Sequence, residues 1–281
     1  MSRRYTTPEV LSVYQNHPLS SRAILQRINK SHSVTLSTTE LELAIDGADQ
    51  LTDQNHIGGA LSTLRLGVKA RLTSKDSVLD LGCGIGGPAR LVADVFDCCV
   101  LGVDANAARI EEAAELTEFV GLQHKVTFRC LDFLTQPIEG VYSVVWAQNS
   151  WIHIDEPLQL ASIAASCLAA DGRLAFEDVY LARAPADSVE VQLMAELCDS
   201  WRSSFSSLDT WCMAIESSGF RSAECEDQTD TMLRHYECIT ALATMTPDKY
   251  PAHEIIGWRA ALALAKSGVL GYARIVGRVK S

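Results

Sequence analysis

An α/β fold built on a parallel sheet is predicted for this chain of 281 residues, and three observations carry that expectation. Short apolar runs alternate with helical-period segments from Ser77 to Glu177, the pattern of strands buried on both faces. The first run, Val78-Leu79-Asp80-Leu81, passes directly into Gly82-Cys83-Gly84-Ile85-Gly86-Gly87. Such a strand, turn and helix start offers bare backbone and free amides to a ligand. Finally, acids stand at or just past successive strand ends, at Asp104, Asp132 and Glu177-Asp178.

Residues 1–73 read as a helical N-terminal cap, and 74–281 as the core domain. In the cap, apolar Ala23, Ile24, Leu25 and Ile28 space a helix over 20–29, and a second is expected over 39–44. A polar, glycine-bearing stretch, Asp53 to Gly59, precedes an amphipathic helix over 60–72. It fits either a plain loop or a lid bringing Gln54, Asn55 or His56 to a ligand. Within the core, strand one ends at Leu81 and its helix runs over 87–95. Strand two covers 98–103, followed by a helix over 107–120. Strand three is 126–130 and strand four 142–147. A helix over 155–169 has acids and Pro157 at its start, and strand five follows at 173–176. Helices are then expected over 187–201 and 208–218, with strand six at 222–226. Two more helices lie within an insertion of about 229–268, before a last strand at 272–279. The insertion suggests an antiparallel hairpin at one sheet edge, its connection expanded into a lid.

A formal charge of −11 argues against nucleic acid, whose phosphates need Lys/Arg clusters, and against anionic membranes. No apolar stretch is long enough to span a bilayer. The nine cysteines are scattered without metal-ligand spacing, so reduced thiols, no metal and a cytoplasmic setting are expected.

The glycine turn alone also satisfies the dinucleotide pattern G-x-G-x-x-G through Gly82, Gly84 and Gly87. Asp80 separates the readings, because a pyrophosphate would meet a like charge there and S-adenosyl-L-methionine, with its sulfonium and ammonium, an opposite one. Asp104 closes strand two about 20 residues past the turn, where an acid binds both ribose hydroxyls, although an ordinary helix cap also fits. Asp132 with Phe133 suits an adenine amino group and ring.

The run Val78–Arg90, with Asp104, Asp132 and Gln148 following in order, resembles the class I S-adenosylmethionine-dependent methyltransferases. The form Leu-Asp-Leu-Gly-Cys-Gly-Ile-Gly-Gly-Pro-Ala-Arg is similar to the branch acting on sarcosine and dimethylglycine, sterols and tocopherols. The likeness extends to His56-Ile57-Gly58, to 146–153, to 230–236 and to the tail 258–279. It implies a Rossmann-like sheet of seven strands, the last antiparallel. It also implies that Asp80 and the Gly82, Cys83, Gly84 and Gly86 backbone hold the methionine part, and that Asp104 with neighbouring Ala105 holds the ribose. Asp132 and Phe133 would hold the adenine, with main chain at Gln148 bordering it. His56, Asn149, Trp151 and Tyr236 would surround a small-molecule acceptor. Where that branch tends to carry an acid, this chain has Asn149.

Methyl transfer from a sulfonium needs alignment more than a base. His153 and His235 are the candidates should a proton have to leave. Trp151, Tyr236 and Trp258 offer an aromatic wall for a cationic group, or equally a lid core. The expected activity is methylation of a small molecule at nitrogen, by a monomer or homodimer releasing S-adenosyl-L-homocysteine. Rival expectations are another displacement on the same donor, a non-catalytic binding protein, and a nicotinamide-dependent oxidoreductase.

Overall fold

A computed structural model describes residues 6–14, 17, 20–28, 37–38 and 52–280; the helix expected over 39–44 lies outside them. Seven strands form one sheet: β1 (Ser77–Leu81), β2 (Cys99–Asp104), β3 (Val126–Cys130), β4 (Tyr142–Gln148), β5 (Leu168–Leu181), β6 (Phe220–Asp227) and β7 (Leu270–Val279). Their spatial order is β3-β2-β1-β4-β5-β7-β6. The first five are parallel, while β7 runs antiparallel between β5 and β6. The last strand is thus interior, and β6 forms the edge. Chain order turns back between β1 and β4, and the carboxyl ends of an open α/β sheet diverge there to leave a crevice.

The helices are α1 (Thr7–Val13), α2 (Ser21–Ile28), α3 (Gly59–Lys69), α4 (Gly87–Phe96), α5 (Ala107–Phe119), α6 (Pro157–Cys167), α7 (Ser188–Trp201), α8 (Leu208–Ser217), α9 (Thr229–Met245) and α10 (Ala252–Lys266). Apolar layers cover both sheet faces. Leu66, Val78, Val92, Val100 and Trp146 meet on one, and Leu79, Leu81, Leu160, Phe176 and Trp211 on the other. A third cluster joins α7, α9 and α10 through Leu197, Tyr236, Trp258 and Leu264.

The largest departures from the sequence reading are a helix and a strand start. Residues Thr7–Val13 form a helix that the apolar pattern does not announce; Thr6 and Glu9 close a capping box at its start. Strand β5 begins at Leu168, five residues early. A register shift against β4 absorbs the residues around Asp171, whose φ of 60° makes the turn there.

Candidate active site

The glycine turn folds as its residues require. Gly82, Gly84 and Gly86 all have positive φ, and a Cβ on Gly82 would stand 2.5 Å from Cβ of Ser150. Beside Gly84, by contrast, nothing lies within 4 Å of an added Cβ. The turn therefore opens on one side only, toward a cavity of about 150 Å³. Asp80, Gly82, Cys83, Gly84, Asp104, Ala105, Asp132, Phe133 and the Gln148 backbone strand end line it; Gly86 caps α4 just beneath.

Electrostatics mark what this cavity lacks. Asp80 is buried and its Oδ2 has no partner. Burial, helped by the Asp104 charge, pushes its carboxyl up to about 8. Asp104 accepts from the Gly84 and Asn106 N–H groups at 2.9 and 2.8 Å. The cap of α5 is Asn106, which accepts from Ala108 and Arg109 N–H, so Asp104 is not spent on capping. Asp132 accepts from the Leu134 N–H at 3.0 Å and from the Thr7 hydroxyl of α1 at 3.1 Å. Gln148 sends its side chain away from the cavity, to Thr63, Trp146 and Glu177.

A second chamber of about 130 Å³ adjoins the first. Tyr14, Asn55, His56, Asn149 and His153 border both. Beyond them the chamber is walled by Trp201, His235, Tyr236, Ile239, Glu254 and Trp258.

Four of the shared residues are held by identifiable partners. Asn149 sits at φ 51°, a conformation asparagine tolerates, and its Oδ1 accepts from the Tyr272 hydroxyl at 2.8 Å and the Ile57 N–H at 3.2 Å. Both ring nitrogens of His56 are engaged, Nδ1 with the Ile57 carbonyl and Nε2 with Thr63 and Gln54. Burial lowers His56 to about 4, keeping it neutral. Asp178 accepts the Trp151 N–H at 2.9 Å and so pins the short turn Trp151–His153. His153 donates from Nδ1 to the Arg202 carbonyl at 3.3 Å, because a carbonyl only accepts. Its Nε2 is consequently the basic nitrogen, and the Tyr14 hydroxyl donates to it at 2.9 Å. Burial lowers the His153 pKa and raises that of Tyr14, so both rest neutral.

One expectation needs correcting here. Trp151 borders neither chamber. It is buried beneath the sheet, stacked on Trp211 at 5.6 Å and packed on Phe176 at 4.8 Å, because the Asp178 contact turns its side chain inward. His235 lies in the second chamber alone, where burial lowers it to about 4. Tyr14, Glu254 and Trp201 are not singled out by sequence. Their segments carry no motif, and only tertiary packing brings them together.

Sheet order and the glycine turn give the Rossmann-like fold shared with the class I S-adenosylmethionine-dependent methyltransferases. Residues 78–172 match the family model described as a methyltransferase domain, and the cofactor of this class is S-adenosyl-L-methionine. Among curated relatives, the chain is similar to the chloroplastic tocopherol O-methyltransferase of Arabidopsis thaliana, 21% identical over 80% of this chain and 65% of that one. It is also similar to the sarcosine/dimethylglycine N-methyltransferase of Halorhodospira halochloris, 26% identical over 61% of each. The chain thus spans less than two thirds of the length of these relatives. Geranyl diphosphate C-methyltransferase from Streptomyces coelicolor A3(2), solved with Mg2+, geranyl diphosphate and S-adenosyl-L-homocysteine, shares the fold at a TM-score of 0.71. Identity to it is 16% over 98% of this chain and 99% of that one. Among the described residues, no helix is long and apolar enough to cross a membrane. No group of three or more His, Cys, Asp or Glu there could hold a metal.

Proposed function

We propose that this chain transfers a methyl group from S-adenosyl-L-methionine to a nitrogen of a small-molecule acceptor. The observation that supports the reading is the shared wall between two cavities, one furnished for an adenosyl amino acid and one lined by aromatic rings. Bound in the first, the cofactor supplies an electrophilic methyl on a sulfonium, leaving as S-adenosyl-L-homocysteine. Asp80 and the 82–86 turn would hold the methionine part, Asp104 with Ala105 the ribose, and Asp132 with Phe133 the adenine. Thr7, Val10, Leu11 and Tyr14 of the α1 segment line the same cavity and would exclude water. Alignment of this kind contributes roughly 7–11 kcal/mol to barrier lowering.

His153 and Tyr14 would handle the proton that the acceptor loses. An acceptor N–H donates to the Tyr14 oxygen while the Tyr14 proton passes to Nε2 of His153, leaving an imidazolium and a restored phenol. His56 and Asn149 would position the acceptor at the shared wall, with His235 and Tyr236 further back. The −11 charge suits a cytoplasmic enzyme, monomeric or homodimeric, with no nucleic-acid partner.

Incubation with labelled donor and a panel of amines, amino acids and phenols, read by mass spectrometry, tests the reading. A methylated amine is the expected product, and absence of binding to S-adenosyl-L-homocysteine in calorimetry would sink it. Asp104→Ala should weaken that binding by about 1–3 kcal/mol, the loss of charge-assisted hydrogen bonds.

A further inference from the structure

The acceptor chamber contains one carboxylate that the donor site leaves unused. Glu254, in the first turn of α10, is 7% exposed and lines the chamber beside the rings of Trp201, Tyr236 and Trp258. Its charged contacts are loose: Nε2 of His17 stands 3.5 Å away and Nε2 of His253 3.8 Å, both from the same oxygen. Burial pushes its carboxyl up to about 7 against the opposing effects of Trp201 and Arg109. Its charge also reaches Tyr14 and Tyr236, raising both phenols. Among the described residues, no lysine or arginine lines the chamber. A phosphate- or carboxylate-bearing acceptor would therefore meet no permanent counter-charge there. A cation would meet both a carboxylate whose burial is costly while loosely paired and ring faces that attract positive charge.

We propose that Glu254 selects the acceptor by charge, binding a protonated or quaternary amine at the end of the molecule remote from the transferred methyl. The remoteness follows from position. Glu254 borders the acceptor chamber alone, whereas Tyr14, Asn149 and His153 border both cavities. Glu254 is thus a specificity residue and takes no part in the displacement. It also supplies the acid that Asn149 does not, from a different element. The inference rests on the methyl-transfer reading of the site.

The test uses the full chain saturated with S-adenosyl-L-homocysteine and follows tryptophan fluorescence, to which Trp201 and Trp258 contribute from the chamber wall. Tetramethylammonium should bind saturably, and about tenfold or more tighter than its neutral isostere tert-butanol. Glu254→Gln should remove most of that preference, and Glu254→Asp, which keeps the charge, should restore it. In turnover, Glu254→Gln should raise KM for cationic acceptors about tenfold or more with kcat nearly unchanged. Equal binding of the cation and tert-butanol to the wild-type protein would overturn the proposal, even if neither variant folds. So would an unaltered preference in Glu254→Gln, or products formed only from neutral or anionic acceptors. Failure of the methyl-transfer reading is seen separately, as absence of S-adenosyl-L-homocysteine binding.

Discussion

At the scale of single residues, Asp80 gives the sharpest case. Reading it as a fixed anion is how sequence distinguishes a sulfonium donor from a pyrophosphate. In the fold, burial and the Asp104 charge push its carboxyl up to about 8, so near pH 7 Asp80 itself is mostly protonated. Only a cationic ligand gains by ionising it, which sharpens the distinction. The sign follows. A carboxyl raised above its unfolded value near 3.9 holds an extra proton when folded, so this group lowers stability as pH rises from about 4 to 8. Binding of S-adenosyl-L-homocysteine, with its ammonium, should release a fraction of a proton near pH 7, and its affinity should tighten between pH 6 and 8. Calorimetry in buffers of different ionisation enthalpy measures this release, and Asp80→Asn should abolish it. The Tyr14–His153 pair makes a second residue-scale prediction. His153→Gln should lower kcat by about 10²–10⁴-fold with cofactor affinity within about threefold of wild type. Tyr14→Phe should follow the same direction, since it removes the hydroxyl between acceptor and imidazole. Unchanged turnover in both would make the pair structural.

Among the elements, strands and helices around the donor site are legible because apolar period and turn glycines are local signals. Strand ends carry Asp104 and Asp132 to one edge of the sheet whatever the rest of the chain does. Helix α1 is not legible in the same way. Its seven residues include Pro8 and show little apolar period, and its place over the cavity depends on distant partners, Asp132 through Thr7 and His153 through Tyr14. Among its described residues, the segment 1–14 contributes one buried core side chain, Val13 at 9% exposure. The truncated chain should therefore fold with only a small loss of melting temperature. Its affinity for S-adenosyl-L-homocysteine should fall by about tenfold or more, the effect of opening a closed pocket to water. A melting temperature lowered by more than about 10 °C would show instead that α1 belongs to the core.

For the molecule as a whole, buried ion pairs fasten the loop at Asp53 to helix α4 and strand β5 to strand β7. Arg90 on α4 is fully buried, paired with Asp53 at 3.0 Å and bonded to the Ala113 carbonyl and Thr117 hydroxyl of α5. Asp53→Ala should cost about 3–5 kcal/mol in urea unfolding, because it strands a buried guanidinium; a loss under about 1 kcal/mol would show that Arg90 finds water. Glu177 and Arg274 form a comparable pair between β5 and β7, at 2.6 Å. Chemistry at such long sequence separation has no local signature, which is why the acceptor chamber was the least legible part. The donor bed is drawn mainly from residues 80–150, whereas Trp201, His235, Tyr236, Glu254 and Trp258 of the chamber come from later helices. Inheritance could therefore rewrite one recognition surface while leaving the other intact. Transplanting residues 229–268 from a homologue of different acceptor range should carry that range with it, and leave the strength of donor binding where it was.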